Sequence, residues 1–159
     1  MSPESNDRFN EYINMCNNSK SGLLRFQLTH QEKNYTNKKT IQYFKTKFNI
    51  NDDLMNKYLE SFQLVGGIMI IKKNEYTISF FNNCLTILND DPNLYSDIYN
   101  DVNINEKHRH DQSIMSLLYK HMNGDLIIND ETWFGESTNS YFNKSVSYRY
   151  PFWATRLRL

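Results

Sequence analysis

Cysteine is nearly absent: Cys16 and Cys84 are the only two in 159 residues, too few for the disulfide framework of a small secreted domain. Both fall among residues that read as partly buried helix positions, so a reducing compartment is the simpler expectation. Glycine occurs five times and never as a phosphate-cradling loop of the P-loop or dinucleotide type. Net charge is missing as well, because 18 basic residues balance 18 acidic ones. No field of one sign is available to hold nucleic acid or an anionic membrane at long range. No apolar run reaches the length of a membrane span, and Met1 to Asp7 lack a signal-peptide core. A soluble cytoplasmic protein with no nucleic-acid partner is expected, organised as one domain over residues 1–159.

Periodicity supplies the elements. Asn6 to Cys16 reads as a helix with Phe9, Tyr12, Ile13 and Cys16 on one side. Leu24, Phe26 and Leu28 alternate with Arg25 and Gln27, the pattern of a strand, and Thr29 to Tyr35 reads as a loop. Thr36 is placed to cap one helix, and Asn51 or Asp52 to cap another. Gln63 to Ile71 is almost wholly apolar, as in a central strand buried on both faces. Gly66 and Gly67 inside it predict either a bulge or the close approach of a ligand or another backbone. Glu75 to Leu88 reads as an amphipathic helix packing through Ile78, Phe81, Leu85 and Leu88. Asn89 to Asn105 is an acidic, Asn-rich loop, and Leu126 to Ile128 a short strand. Alternating strands and helices give an α/β layer fold.

The segment of greatest chemical interest is His108-Arg109-His110-Asp111-Gln112-Ser113, directly ahead of a helix patterned by Ile114, Leu117 and Leu118. A helix start offers unpaired N–H groups and the positive end of the dipole to an anion. Asp111 is also a favoured cap residue, so a purely structural role stands beside the chemical one. His108 and His110, with Asp111, present three groups of the kind that bind a divalent metal. The spacing nevertheless departs from the His-x-His-x-Asp-His pattern of metallo-β-lactamases. His121 lies on the helix face and is expected to be structural, and the two cysteines sit in apolar helix patterns where thiols are inert.

The order of these features resembles the second half of GT-A type nucleotide-sugar glycosyltransferases. There, a strand like Val65-Gly66-Gly67-Ile68-Met69-Ile70 precedes a helix, and an Asp-Gln pair opens the next one. The His-Arg-His-Asp-Gln-Ser segment is the specific part. Arg8-Phe9, Glu11-Tyr12-Ile13, Phe26-Gln27-Leu28, His30, Glu32-Lys33, Asp130-Glu131-Thr132 and Pro151 to Arg158 continue the likeness in order. The resemblance implies a partial GT-A, Rossmann-like mixed sheet flanked by helices. It also implies transfer of a sugar from a nucleotide-diphosphate donor to an acceptor hydroxyl, on a glycan or another molecule.

Roles follow from the same resemblance. Asp111 would accept a proton or hydrogen bond from a hydroxyl, and Gln112 would sit against the anomeric centre or orient the donor. Gly66 and Gly67 would let the strand approach the donor sugar. His108 or His110 would assist the diphosphate or a Mn or Mg ion, Arg156 would offset phosphate charge, and His30 and Glu32 would contact donor or acceptor. The family's N-terminal nucleotide-binding half and its Asp-x-Asp motif have no counterpart in this sequence. Either a fragment of a longer protein or a shortened gene product, inactive alone or completed by a partner chain, is therefore expected. Two rival functions remain: a non-catalytic α/β remnant binding a sugar or protein, and a metal-dependent hydrolase built on His108, His110 and Asp111.

Overall fold

The computed structural model of the protein describes residues 2–101, 107–132 and 149–152. It is an α/β fold, with a mixed three-stranded sheet flanked by five α-helices among those residues. The helices are α1 (Pro3–Asn18), α2 (Lys38–Lys47), α3 (Asp52–Glu60), α4 (Glu75–Asp90) and α5 (His110–His121). The strands are β1 (Leu23–Gln31), β2 (Phe62–Ile71) and β3 (Ile127–Asn129), in the order β2-β1-β3. β1 runs antiparallel to β2 and parallel to β3.

Asparagine does much of the local punctuation. Asn37, Asn51 and Asn74 each accept the N–H three residues on, at 2.8–2.9 Å, and so cap α2, α3 and α4. At α4 the cap is reciprocal, since the Asn74 N–H donates to Thr77 Oγ1 at 3.0 Å. The cap of α2 is thus Asn37, not Thr36, whose hydroxyl turns inward instead. β1 continues beyond the alternating stretch to Gln31, and a short 3-10 turn, Glu32–Asn34, replaces the rest of the expected loop.

β1, not β2, is the central strand among the described residues. Its alternation divides the core. Leu24 and Phe26 meet α1 through Tyr12 and Cys16 on one face. Leu23 joins Leu64, Phe80, Leu117 and Leu118 on the face covered by α4 and α5. The apolar run of β2 is therefore that of an edge strand enclosed by α5 rather than of a strand paired on both sides. α4 also differs from expectation. Phe80 and Ile87 are buried, whereas Ile78, Leu85 and Leu88 are 47%, 57% and 39% exposed. The helix carries two apolar stripes, and the sheet takes the one with Phe80.

The paired glycines produce the bulge that their spacing suggested. Arg25 lies opposite Met69 and Gln27 opposite Leu64, so one residue of β1 faces four of β2, Val65 to Ile68. The Arg25 side chain is fully buried beside this opening and donates to the Val65 carbonyl at 2.9 Å. Its Nε and Nη1 have no hydrogen-bond partner among the described residues. Burial without a contacting anion lowers its pKa to about 10.

Candidate functional site

The start of α5 is fixed by contacts from both sides. Arg109 is its N-cap, and its N–H donates to the Tyr35 carbonyl at 3.0 Å. The Ser113 hydroxyl donates to the same carbonyl at 2.6 Å. Above this, the Arg109 guanidinium stacks on the Tyr35 ring, 3.8 Å from its centroid, a cation–π contact. Asp111 is therefore not the cap; it lies in the first turn, exposed, with no hydrogen bond or ion pair among the described residues.

Gln112 binds α5 to the bulge. Its Oε1 accepts the Gly66 N–H at 3.2 Å, and its Nε2 donates to Gln63 Oε1 at 2.7 Å. A Cβ on Gly66 would stand 2.8 Å from the Gln112 Cβ, so only glycine lets helix and strand come this close. At Gly67 nothing lies within 4 Å of the same atom. The two glycines thus differ: one admits the helix, the other faces open space.

From Gln112 a hydrogen-bonded chain runs inward. Gln63 Nε2 donates to Glu32 Oε1 at 2.9 Å, and Thr36 Oγ1 to the same oxygen at 2.9 Å. Ser116 Oγ and Lys120 Nζ donate to the other carboxylate oxygen, Lys120 at 2.6 Å. Ser116 Oγ also accepts the Leu64 N–H at 3.0 Å. Glu32 is wholly buried and meets donors supplied by the protein itself. A buried carboxylate is tolerable because it is paired and hydrogen-bonded on both oxygens.

His108 and His110 pack edge to face, ring centroids 5.6 Å apart, but bond to different partners. His108 is buried, with Nε2–H donating to the Leu94 carbonyl at 2.8 Å and Nδ1 accepting the Asn37 N–H at 3.4 Å. Burial lowers its pKa, consistent with a neutral ring. His110 sits at positive φ, 42°, and its Nε2 lies 2.9 Å from Asp97 Oδ1. That contact lowers the Asp97 pKa. His30 is half-buried, its ring 5.3 Å from that of Tyr35. His121 packs against Phe48 at 4.7 Å, a structural place as expected.

Both His108 nitrogens are engaged by backbone, and no three His, Cys, Asp or Glu side chains cluster to hold an ion among the described residues. Among the described residues, the donors at the start of α5 do not form a metal site. Arg156 lies outside the described residues. The structure thus joins Gln112 directly to Gly66, with Asp111 and Gly67 as their neighbours in the chain; His30 packs on Tyr35, and His108 is turned to Leu94 and Asn37.

Sequence reasoning missed Gln63, Arg109, Tyr35, Ser116 and Lys120. A signal was present for two of them: Gln112, Ser116 and Lys120 recur every four residues, a polar stripe on an otherwise apolar helix. The fold class is α/β, with a mixed, partly parallel sheet between helices. No protein-family model, curated protein or solved structure matches the chain. No helix among the described residues is long and apolar enough to cross a membrane.

Proposed function

We propose that the chain is glycosyltransferase-like, contributing the sugar-facing part of a site that moves a sugar from a nucleotide-diphosphate donor to a hydroxyl. One observation carries this. Asp111 is an exposed carboxylate at the helix start with no hydrogen bond or ion pair among the described residues, while its neighbours Arg109, Gln112 and Ser113 are held in place by Tyr35, Gln63 and Gly66. Such a carboxylate is a hydrogen-bond acceptor on a rigid mount, suited to hold a hydroxyl of the donor sugar or to take the proton of an attacking hydroxyl. In that reaction the bond from acceptor oxygen to anomeric carbon forms as the bond to the diphosphate breaks. Arg109 and the N–H groups of the first turn would meet the negative charge that leaves. A second copy or another chain would complete the diphosphate side.

A binding-only role is the second reading, favoured by the engagement of both ends of the Gln112 amide. Calorimetric titration with a panel of nucleotide sugars, with and without Mn or Mg, tests the proposal. Heat from one donor, lost in Asp111→Asn, is the expected result. A folded chain that gives no heat with any donor overturns it, and heat retained in Asp111→Asn favours binding elsewhere.

A further inference from the structure

An apolar surface feature stands apart from the start of α5, and it is concave. Leu54, Phe62 and Ile127, which are 38%, 43% and 40% exposed, open onto a single cleft of about 390 Å³. It lies between α3, the C-terminal end of α5 and the sheet, with Leu64 as floor. That volume is in the range of small-ligand sites, which are largely apolar with a few convergent polar groups. Here the charged lining groups are both lysines, Lys57 and Lys120, and no Asp or Glu lines the cleft. The neighbouring acids are engaged elsewhere: Glu60 with Lys33, and Asp125 with the N–H groups of Lys20 and Ser21. Lys57 has no ion-pair partner among the described residues. Lys120 is held at the cleft wall by Glu32 and by the Tyr58 carbonyl at 3.4 Å.

We propose that this cleft binds a small amphipathic anion, a flat apolar body bearing one carboxylate or phosphate group. The body rests on Phe62, Leu54 and Ile127, and the acidic head meets the exposed Lys57 ammonium, while Lys120 stays paired with Glu32 in the wall of the cleft. An apolar body alone would leave the Lys57 ammonium without an ion partner, and an anion alone would leave three apolar side chains in water. The site is separate from Asp111, which lies nine residues from Lys120 on α5, about 13.5 Å along the axis.

The test is titration of the ¹⁵N-labelled full chain with phenyl phosphate, beside phenol and inorganic phosphate as single-feature probes. Phenyl phosphate is expected to give saturable shifts of the Ser61, Asn123 and Gly124 amides, with at least ten-fold tighter binding than either control. Lys57→Glu and Phe62→Ser are each expected to weaken it ten-fold or more, with the remaining amide spectrum unchanged because both side chains are exposed. Equal binding of phenol or of phosphate overturns the proposal, as do shifts that fail to saturate, shifts mapping elsewhere, or full affinity in Lys57→Glu. Should either variant lose the native spectrum, Lys57→Gln and Phe62→Leu replace them, with the same outcomes required.

Discussion

Gly66 and Gly67 are adjacent in sequence and opposite in consequence. Gly66→Ala places a methyl against the Gln112 Cβ, and overpacking of this kind costs about 1–3 kcal/mol. Gly67→Ala meets nothing within 4 Å, so its stability change is expected to be well below that of Gly66→Ala. Urea denaturation of the two variants separates them, and equal losses would contradict the close helix approach. Glu32 gives the second test at this scale. Glu32→Gln leaves the Lys120 ammonium, only 10% exposed, without its carboxylate, and removing one partner of a buried pair costs about 3–5 kcal/mol. A change near zero in the denaturation midpoint would sink that assignment. The glycine pair was legible as a bulge. Which of the two would admit a helix was not, because that depends on where Gln112 falls in three dimensions.

Among the elements, α4 and α5 differ most from their sequence patterns. α4 has two stripes at helical spacing, Phe80-Cys84-Ile87 and Ile78-Phe81-Leu85-Leu88, and periodicity alone does not say which one the sheet takes. Phe80→Ala is expected to cost about 3–5 kcal/mol, whereas Leu85→Gln should stay within about 0.5 kcal/mol, as exposed positions do. Thermal denaturation of both checks it, and the reverse ranking would mean that the helix is rotated. The entry to α5 carries a pH dependence through His108. Its folded-state pKa is lowered by burial, so below about 6.5 the unfolded chain binds a proton that the folded chain refuses. Stability should therefore fall as pH drops through 6.5, by at most about 1.4 kcal/mol per unit, until the folded-state pKa is reached. Urea midpoints at pH 7.5 and 5.5 measure the slope, which His108→Gln should flatten; an unchanged slope would place the proton elsewhere. The lysine and serine of the polar stripe on α5 were visible in the sequence. Their target, Glu32, lay outside any strand or helix pattern and was legible only as an acidic residue of interest.

At the scale of the whole molecule, the α/β class followed from alternating strands and helices. The strand order did not: β2 is more apolar than β1, yet it is β1 that pairs on both sides. The apolar character of β2 instead reflects its cover by α5, a contact between segments some fifty residues apart, as with Gly66 and Gln112. Of the residues singled out in sequence, Gln112 and Gly66 are in contact, and Glu32 forms the buried end of the hydrogen-bonded chain that holds Gln112. This support holds Gln112 and Arg109 in fixed positions while Asp111 remains open to solvent. Gln112 and Arg109 are thus preorganised next to a carboxylate that has no partner among the described residues.

The most direct measurement is an amide shift map of the ¹⁵N-labelled chain titrated with the nucleotide-sugar panel. The largest saturable shifts are expected at Asp111, Gln112 and Gly67 for at least one donor, and they should be absent in Asp111→Asn. Shifts confined to Ser61, Asn123 and Gly124, or no shift with any donor, would contradict a sugar-facing site at the start of α5.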